Sequence, residues 1–155
     1  MRCMMLKVDN IEMLLEFEKR ARILESEIFI EEFDVQKFKN QTLNALANPL
    51  FSSAKCLMCI DDTDNVVGRL DLVVLPSFAF GGDLRAYIDW IYVLKSHRGK
   101  GVAHFLLEQA EIAIKQLGAY EYFLITAKND EADKLYRGLK NVKIKNENIL
   151  TKSII

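Results

Sequence analysis

Arg85-Ala86-Tyr87-Ile88-Asp89-Trp90-Ile91-Tyr92-Val93-Leu94 is followed by Lys95-Ser96-His97-Arg98-Gly99-Lys100-Gly101 and then by Val102-Ala103-His104-Phe105-Leu106-Leu107. The first run is rich in aromatic and β-branched residues and reads as a central strand. The last opens a helix to about Leu117, in which Val102, Leu106, Ala110, Ala113 and Leu117 form one apolar stripe, widened by Phe105, Leu107 and Ile114. A strand, a glycine-rich turn and a helix in this order leave the backbone N–H groups of Gly99 to Ala103 pointing outward at a helix N-terminus. Such a site favours an anion, most often a phosphate. Glycine at 99 and 101 lets a ligand come close to the backbone, and Arg98 and Lys100 add positive charge. As a bare pattern, Arg-x-x-Gly-x-Ala occurs by chance in roughly one chain in ten of this length. Its place between a buried strand and an amphipathic helix is what gives it weight.

Outward from this stretch, the order reads as β-αα-βββ-αβ-αβ-β, a mixed α/β layer protein. Residues 3 to 8 read as a short strand, and Ile11, Leu14, Leu15 and Phe17 recur at helical spacing after the capping pair Asp9-Asn10. Asp34 caps a second helix to about Asn48, ended by Pro49. Lys55 to Ile60 and Val66 to Leu75 read as strands joined by the acidic turn Asp61-Asp62-Thr63-Asp64-Asn65, and a loop from Pro76 to Asp83 hinges on Gly81-Gly82. Beyond the helix, Gly118 serves as its cap and Tyr120 to Thr126 forms the next strand. Asn129 begins a helix to about Leu139, and Val142 to Ile155 reads as a final hairpin turning at Asn146-Glu147-Asn148. The expectation is one domain over residues 1–155, with a mixed sheet of about six to seven strands flanked by about four helices.

Composition narrows the function. The 155 residues are 50% hydrophobic and 28% charged, with a net charge of −1. Nucleic acid as main partner is disfavoured, because phosphate backbones call for a clustered basic surface. The apolar, uncharged run Leu72 to Gly82 contains Pro76 and two glycines and cannot span a bilayer. Three cysteines with no secretory segment point to a reduced, cytoplasmic setting. Cys56 and Cys59 form C-x-x-C, but on a strand positions three apart face opposite sides, and no second pair completes a zinc site. Core packing is the reading, and no metal is expected.

The phosphate ligand is not that of the nucleotide P-loop, since Gly-Lys-Ser/Thr is absent, nor of the dinucleotide fingerprint, which needs a third glycine and an acidic residue ending the next strand. Arg98-Gly99-Lys100-Gly101-Val102-Ala103 instead resembles motif A of the GCN5-related N-acetyltransferase (GNAT) superfamily, Arg/Gln-x-x-Gly-x-Gly/Ala. A second signature of that family, Asn-x-x-Ala-x-x-Leu-Tyr, appears in register as Asn129, Ala132, Leu135 and Tyr136. Within the superfamily, Val66 to Tyr136 is similar to the aminoglycoside 3-N-acetyltransferase type. The shared pieces are Val66-Val67-Gly68, Val74-Leu75-Pro76, Tyr87-Ile88-Asp89, Leu117-Gly118-Ala119-Tyr120 and Leu135-Tyr136.

The resemblance implies a GNAT fold and acetyl-coenzyme A as co-substrate. Its pyrophosphate would lie on the amides of Arg98, Gly99, Lys100, Gly101, Val102 and Ala103, with Asn129 and Tyr136 also on the donor side. A strand amide near Ile91, Tyr92 or Val93 would polarise the thioester carbonyl. The acceptor would be a primary amine of a small molecule, aminoglycoside or polyamine-like, attacking directly, so that the enzyme's work is positioning and electrostatics. Tyr136 would protonate the leaving thiolate. Asp89 is the candidate for receiving the amine's proton, because it interrupts an apolar strand and alternation places it on the face of Tyr87 and Ile91. In the aminoglycoside type the acidic residue falls one position later, at Trp90 here, and a bulge would restore the register. The usual Gly-Phe after the second signature is Lys140-Asn141.

Simpler roles stand beside these. Asp89 could be a buried carboxylate paired with Arg85 or Arg69, Tyr136 a core aromatic and Trp90 packing rather than acceptor recognition. His97 and His104 read as solvated. Glu25 to Asp34 carries five acidic residues and no basic one, a solvated helix edge or an acceptor pocket in which Glu31, Glu32 and Asp34 attract a cationic amine. The alternative functions are a non-catalytic acyl-CoA-binding domain and a protein lysine or N-terminal acetyltransferase. An open sheet edge is compatible with a homodimer.

Overall fold

The computed structural model describes residues 1–25, 33–78, 81–126, 130–145, 149 and 151–153. Its contacts group the chain into two units, Met1–Ile125 and Thr126–Ile155. The first holds a five-stranded sheet in the order β1-β2-β3-β4-β5, with β1 Arg2–Met5, β2 Ala54–Ile60, β3 Val66–Ser77, β4 Asp83–Val93 and β5 Tyr122–Leu124. All neighbours are antiparallel except β4 and β5, which run parallel because helix α3, Val102–Gln116, carries the chain back between them. Helices α1, Ile11–Lys19, and α2, Val35–Ala47, complete this unit, and α4, Asp130–Arg137, belongs to the second.

The alternation of the central strands assigns each face. A Cβ placed on Gly68 would meet Val102 Cγ1 at 2.8 Å and Leu106 Cδ1 at 3.0 Å, so Gly68 and its partner Val93 face α3. Only glycine lets that helix lie so close to β3. The predicted stripe forms the contact: Val102, Leu106, Leu107, Ala110, Ala113 and Ile114 are buried. The opposite face packs on α1 through Leu14, Phe17, Ala21, Met58, Ile60, Val66 and Leu94. Asp34 caps α2 as expected, accepting from the Lys37 amide at 2.9 Å. Cys56 packs against the α1-side cluster while Cys59 pairs with Gly68 on the α3 side, so the C-x-x-C cysteines part as strand geometry demands.

Three expectations are corrected. Among the described residues the sheet has five strands rather than six to seven. No strand is found among the described residues of 142–155, where the final hairpin was expected; its turn, residues 146–148, lies outside them. Val142 and Ile144 alternate with Lys143 and Lys145, but both apolar residues are exposed, so the alternation there lacks a buried face to hold a strand. The loop at 76–83 is shorter than expected: Pro76 pairs with Leu84 and Ser77 with Asp83, leaving a tight hairpin closed by Gly81 and Gly82 at φ +74° and +93°. Finally, α1 runs on through an unforeseen π-helical turn, Arg20–Leu24, closed by the Glu25 amide on the Arg20 carbonyl at 3.0 Å.

Candidate active site

The turn after β4 is built from backbone. Lys95–His97 forms one 3-10 turn, Arg98 is extended, and Gly99 and Gly101 take φ of +72° and +81°, conformations that favour glycine. A Cβ at either glycine would meet nothing within 4 Å, so both face open space. The first amide of α3 to bond within the helix is that of Phe105, to the Gly101 carbonyl at 2.9 Å, and Gly101 supplies no side-chain cap. The amides of Val102, Ala103 and His104 therefore precede the helical ladder and form, with the helix dipole, a seat for a phosphate-sized anion. Lys100 is exposed beside them.

Among the described residues, β5 pairs with β4 only over Ala86 to Ile88, short of the end of β4 next to this turn. The Leu94 amide bonds back to the Val67 carbonyl of β3 at 3.0 Å. By alternation the Tyr92 amide is directed toward β3 and those of Ile91 and Val93 toward the opposite edge, beyond the last β5 pair. Arg98 folds onto this edge: Nε donates to the Val93 carbonyl at 3.1 Å and the guanidinium stacks 5.4 Å from the Tyr92 ring. Its charge thus serves the turn's shape as well as any ligand.

Asp89 sits on a bulge. Asp71 of β3 is opposite Trp90 and Leu72 opposite Ile88, which leaves Asp89 as the extra residue. The slip re-aims the strand. Tyr92 meets Phe17 of α1 at 6.2 Å, Gly68 and Val93 face α3, and so Ile91 lies on the α3 face. Tyr87 shares a face with Asp89; Ile91, expected there too, does not. Asp89 is exposed, not buried. Its neighbour is the Tyr87 hydroxyl, whose pKa is raised by burial and then by the Asp89 carboxylate it donates to. Neither predicted arginine pairs with Asp89: Arg69 bonds Asp71 and Glu18, and Arg85 lies 2.5 Å from Glu121.

Arg69 belongs to a layer that sequence reasoning missed. Glu18 is 1% exposed and bonds both Arg22 and Arg69; Arg69 Nε in turn donates to Asp71 at 3.0 Å. Burial lowers the proton affinity of Arg69, but Asp71, Cys56 and Glu18 more than offset it. The Arg22 guanidinium stacks among Phe33, Phe38 and Trp90 at 5.3, 5.9 and 6.0 Å. Trp90 is thus a half-buried wall of this layer, one residue from Asp89. A helical i, i+4 pair, Glu18 and Arg22, was the only local signal; the partners on β3 lie 51 residues away.

Of the remaining predicted residues, Glu31, Glu32 and Asn129 lie outside the described residues. Asp34 is exposed with its carboxylate engaged as the α2 cap. His97 is half-buried, with Nε2 3.7 Å from Asp61, and His104 is exposed. In the second unit Tyr136 is half-buried on α4, and burial raises its pKa. Among the described residues, no group of three or more His, Cys, Asp or Glu side chains could hold a metal ion, and no helix is long and apolar enough to cross a membrane.

Residues 17–140 match the model of the Acetyltransferase (GNAT) family. No curated protein matches the chain in sequence. Among solved structures, the chain is similar to an aminoglycoside acetyltransferase from an uncultured soil metagenomic sample, in complex with sisomicin (TM-score 0.79, 14% identity, 99% of this chain and 96% of that one). It is also similar to the aminoglycoside 6'-N-acetyltransferase of Acinetobacter haemolyticus (TM-score 0.70, 20% identity, 100% of both chains). A third is the ribosomal-protein-alanine N-acetyltransferase of Brucella melitensis biovar Abortus 2308 (TM-score 0.71, 19% identity, 97% and 99%).

Proposed function

Because the chain belongs to the GNAT acetyltransferase family, we propose that it moves an acetyl group from acetyl-coenzyme A to a primary amine of a small molecule, aminoglycoside or polyamine-like. The observation that carries the donor half is the run of amides at Val102 to His104, preceding the α3 ladder, beside two glycines that face open space. That seat fits a pyrophosphate, and a side chain at either glycine would fill it. The β4 edge at Ile91 and Val93, which β5 does not reach among the described residues, supports a thioester carbonyl accepting a strand amide there.

The chemistry needs no covalent enzyme intermediate. The amine nitrogen forms a bond to the acetyl carbon, the carbon–sulfur bond breaks, one proton leaves the nitrogen and one reaches the sulfur. Asp89, bulged out and exposed beside Tyr87, receives the amine's proton directly or through water. Tyr136 gives the proton to sulfur; its raised pKa keeps the phenol protonated throughout the neutral range, as that role requires.

Glu31, Glu32 and Asp34 would draw in a cationic acceptor by long-range attraction. The triple change Glu31→Gln, Glu32→Gln, Asp34→Asn keeps the helix cap, since asparagine caps as well as aspartate. It should raise acceptor KM with donor affinity unchanged, and an unchanged acceptor KM removes this assignment. The test of the whole proposal is calorimetric titration with acetyl-coenzyme A, with NAD as control, followed by thiol release with a panel of amines. Micromolar binding of the first alone and turnover with an amine are expected; binding without turnover on any amine would mean an acyl-CoA-binding domain.

A further inference from the structure

Glu25 ends the π-helical turn, and its carboxylate reaches across to the far end of β4. Both oxygens accept from the Lys95 amide, at 3.1 and 3.0 Å, and Oε2 also accepts from the Tyr92 hydroxyl at 2.9 Å. Lys95 Nζ returns to the Glu25 carbonyl at 3.4 Å. We infer that Glu25 is a positioning residue for the phosphate-holding turn, setting its shape from 70 residues away in sequence.

Two connections lead from Glu25 to the turn. Lys95 opens the 3-10 turn, and its carbonyl holds the Arg98 amide at 3.2 Å, so fixing the Lys95 amide fixes the start of Arg98-Gly99-Lys100-Gly101. Leu94, at the cap position of that 3-10 turn, makes no side-chain cap bond; the Glu25 carboxylate supplies one from another element. The second connection is Tyr92. Its hydroxyl is held by Glu25, its ring stands edge-on to Phe17, and its face carries the Arg98 guanidinium, which bonds the Val93 carbonyl. One carboxylate therefore restrains the turn through backbone and through side-chain stacking.

The sign of the effect separates this role from a simple charge effect. A carboxylate near an anion seat repels the anion, so if Glu25 acted only through its charge, removing it would tighten donor binding. A positioning residue does the reverse. The inference rests on the proposed donor site, so its test has one arm with the donor and one without. In calorimetric titration of the full chain with acetyl-coenzyme A, Glu25→Ala should raise Kd about tenfold, and Glu25→Gln and Tyr92→Phe about threefold each, since each keeps part of the network. In hydrogen exchange of the free chain, Glu25→Ala should speed exchange over residues 94–101 while the α3 amides 106–115 keep the wild-type rate.

An unchanged or lower Kd together with unchanged exchange over 94–101 would overturn the inference. Faster exchange spread evenly over the sheet and α3 would overturn it too, because Glu25 would then be a general stabiliser. If the wild-type chain fails to bind acetyl-coenzyme A, the donor-site reading fails, and the exchange arm still decides whether Glu25 shapes the turn.

Discussion

β4 joins two regions whose chemistry is made of different material. After its end, from Arg98 to His104, the candidate donor seat consists of backbone amides, and side chains matter mainly by being absent at Gly99 and Gly101. Beneath its middle, the α1 face is a layer of side-chain charge: Arg22, Glu18, Arg69 and Asp71, with Trp90 and the bulged Asp89 at its border. The first region depends most on its two glycines, whose positive φ and bare Cα atoms shape the seat. The second depends on partners from α1, the π turn and β3 being present together.

The largest effect should come from Gly101→Glu. Nothing stands within 4 Å of the added Cβ, so the fold loses only the strain of a left-handed residue, about 1–2 kcal/mol. The ligand loses its seat to a side chain of its own charge. Acetyl-coenzyme A affinity should fall by about a thousandfold while the melting temperature drops only a few degrees. Calorimetry and thermal unfolding on the same sample check this; a collapse of the melting temperature in step with binding would make the turn a structural element like any other.

Glu18→Ala should do the opposite. It leaves Arg22 and Arg69 largely buried without their shared carboxylate, a change that costs about 3–5 kcal/mol in such settings. For a chain of this size that lowers the melting temperature by about 10 °C. Donor affinity of the folded protein should stay within about twofold, as the turn keeps its own bonds. If Glu18→Ala weakened donor binding as strongly as Gly101→Glu, the two regions would not be separable.

The same contrast explains what could be read in advance. The glycine turn and the helix it opens were legible because their requirement is local: two glycines, a preceding apolar strand and a following amphipathic stripe lie within one stretch of chain. The element order as far as α4 followed from equally local signals, such as Asp34 before α2 and Gly118 after α3. The charged layer was not legible, since Glu18 and Arg69 meet across 51 residues and each alone resembles a surface charge. Strand alternation also failed at one place. From Asp89 onward a single bulged residue carries Ile91 to the other face, as the pairing of Trp90 with Asp71 and of Ile88 with Leu72 shows. Glu25 stands in an acidic run of the sequence, and its partners Tyr92 and Lys95 lie 67 and 70 residues away.

Tyr136→Phe extends the comparison to the chemical step. It should lower kcat by about a hundredfold, the usual scale for a lost general acid, with donor Kd unchanged. The phenol's pKa is raised by burial above the ordinary value near 10. An acid must be protonated to act, so wild-type kcat should hold through neutral and mildly basic pH and fall only above pH 10. Equal losses in kcat and donor affinity would assign Tyr136 to packing.

Asp89→Asn should give the smallest effect and bears on the border between the regions. The carboxylate is exposed, and water can take over part of a proton transfer there, so kcat should fall about tenfold rather than a hundredfold. A second readout needs no activity. Burial raises the Tyr87 phenol first, and the Asp89 carboxylate raises it further by accepting its proton in a hydrogen bond and by repelling the phenolate. Replacing Asp89 with a neutral amide removes the second contribution and leaves the first, so Tyr87 should titrate at lower pH. The difference in tyrosinate absorbance between wild type and variant, over the titration of the chain's five tyrosines, isolates that shift. A drop in kcat with no change in the titration curve would mean that Asp89 points away from Tyr87, and the bulge would then have turned the carboxylate off the face shared with Trp90.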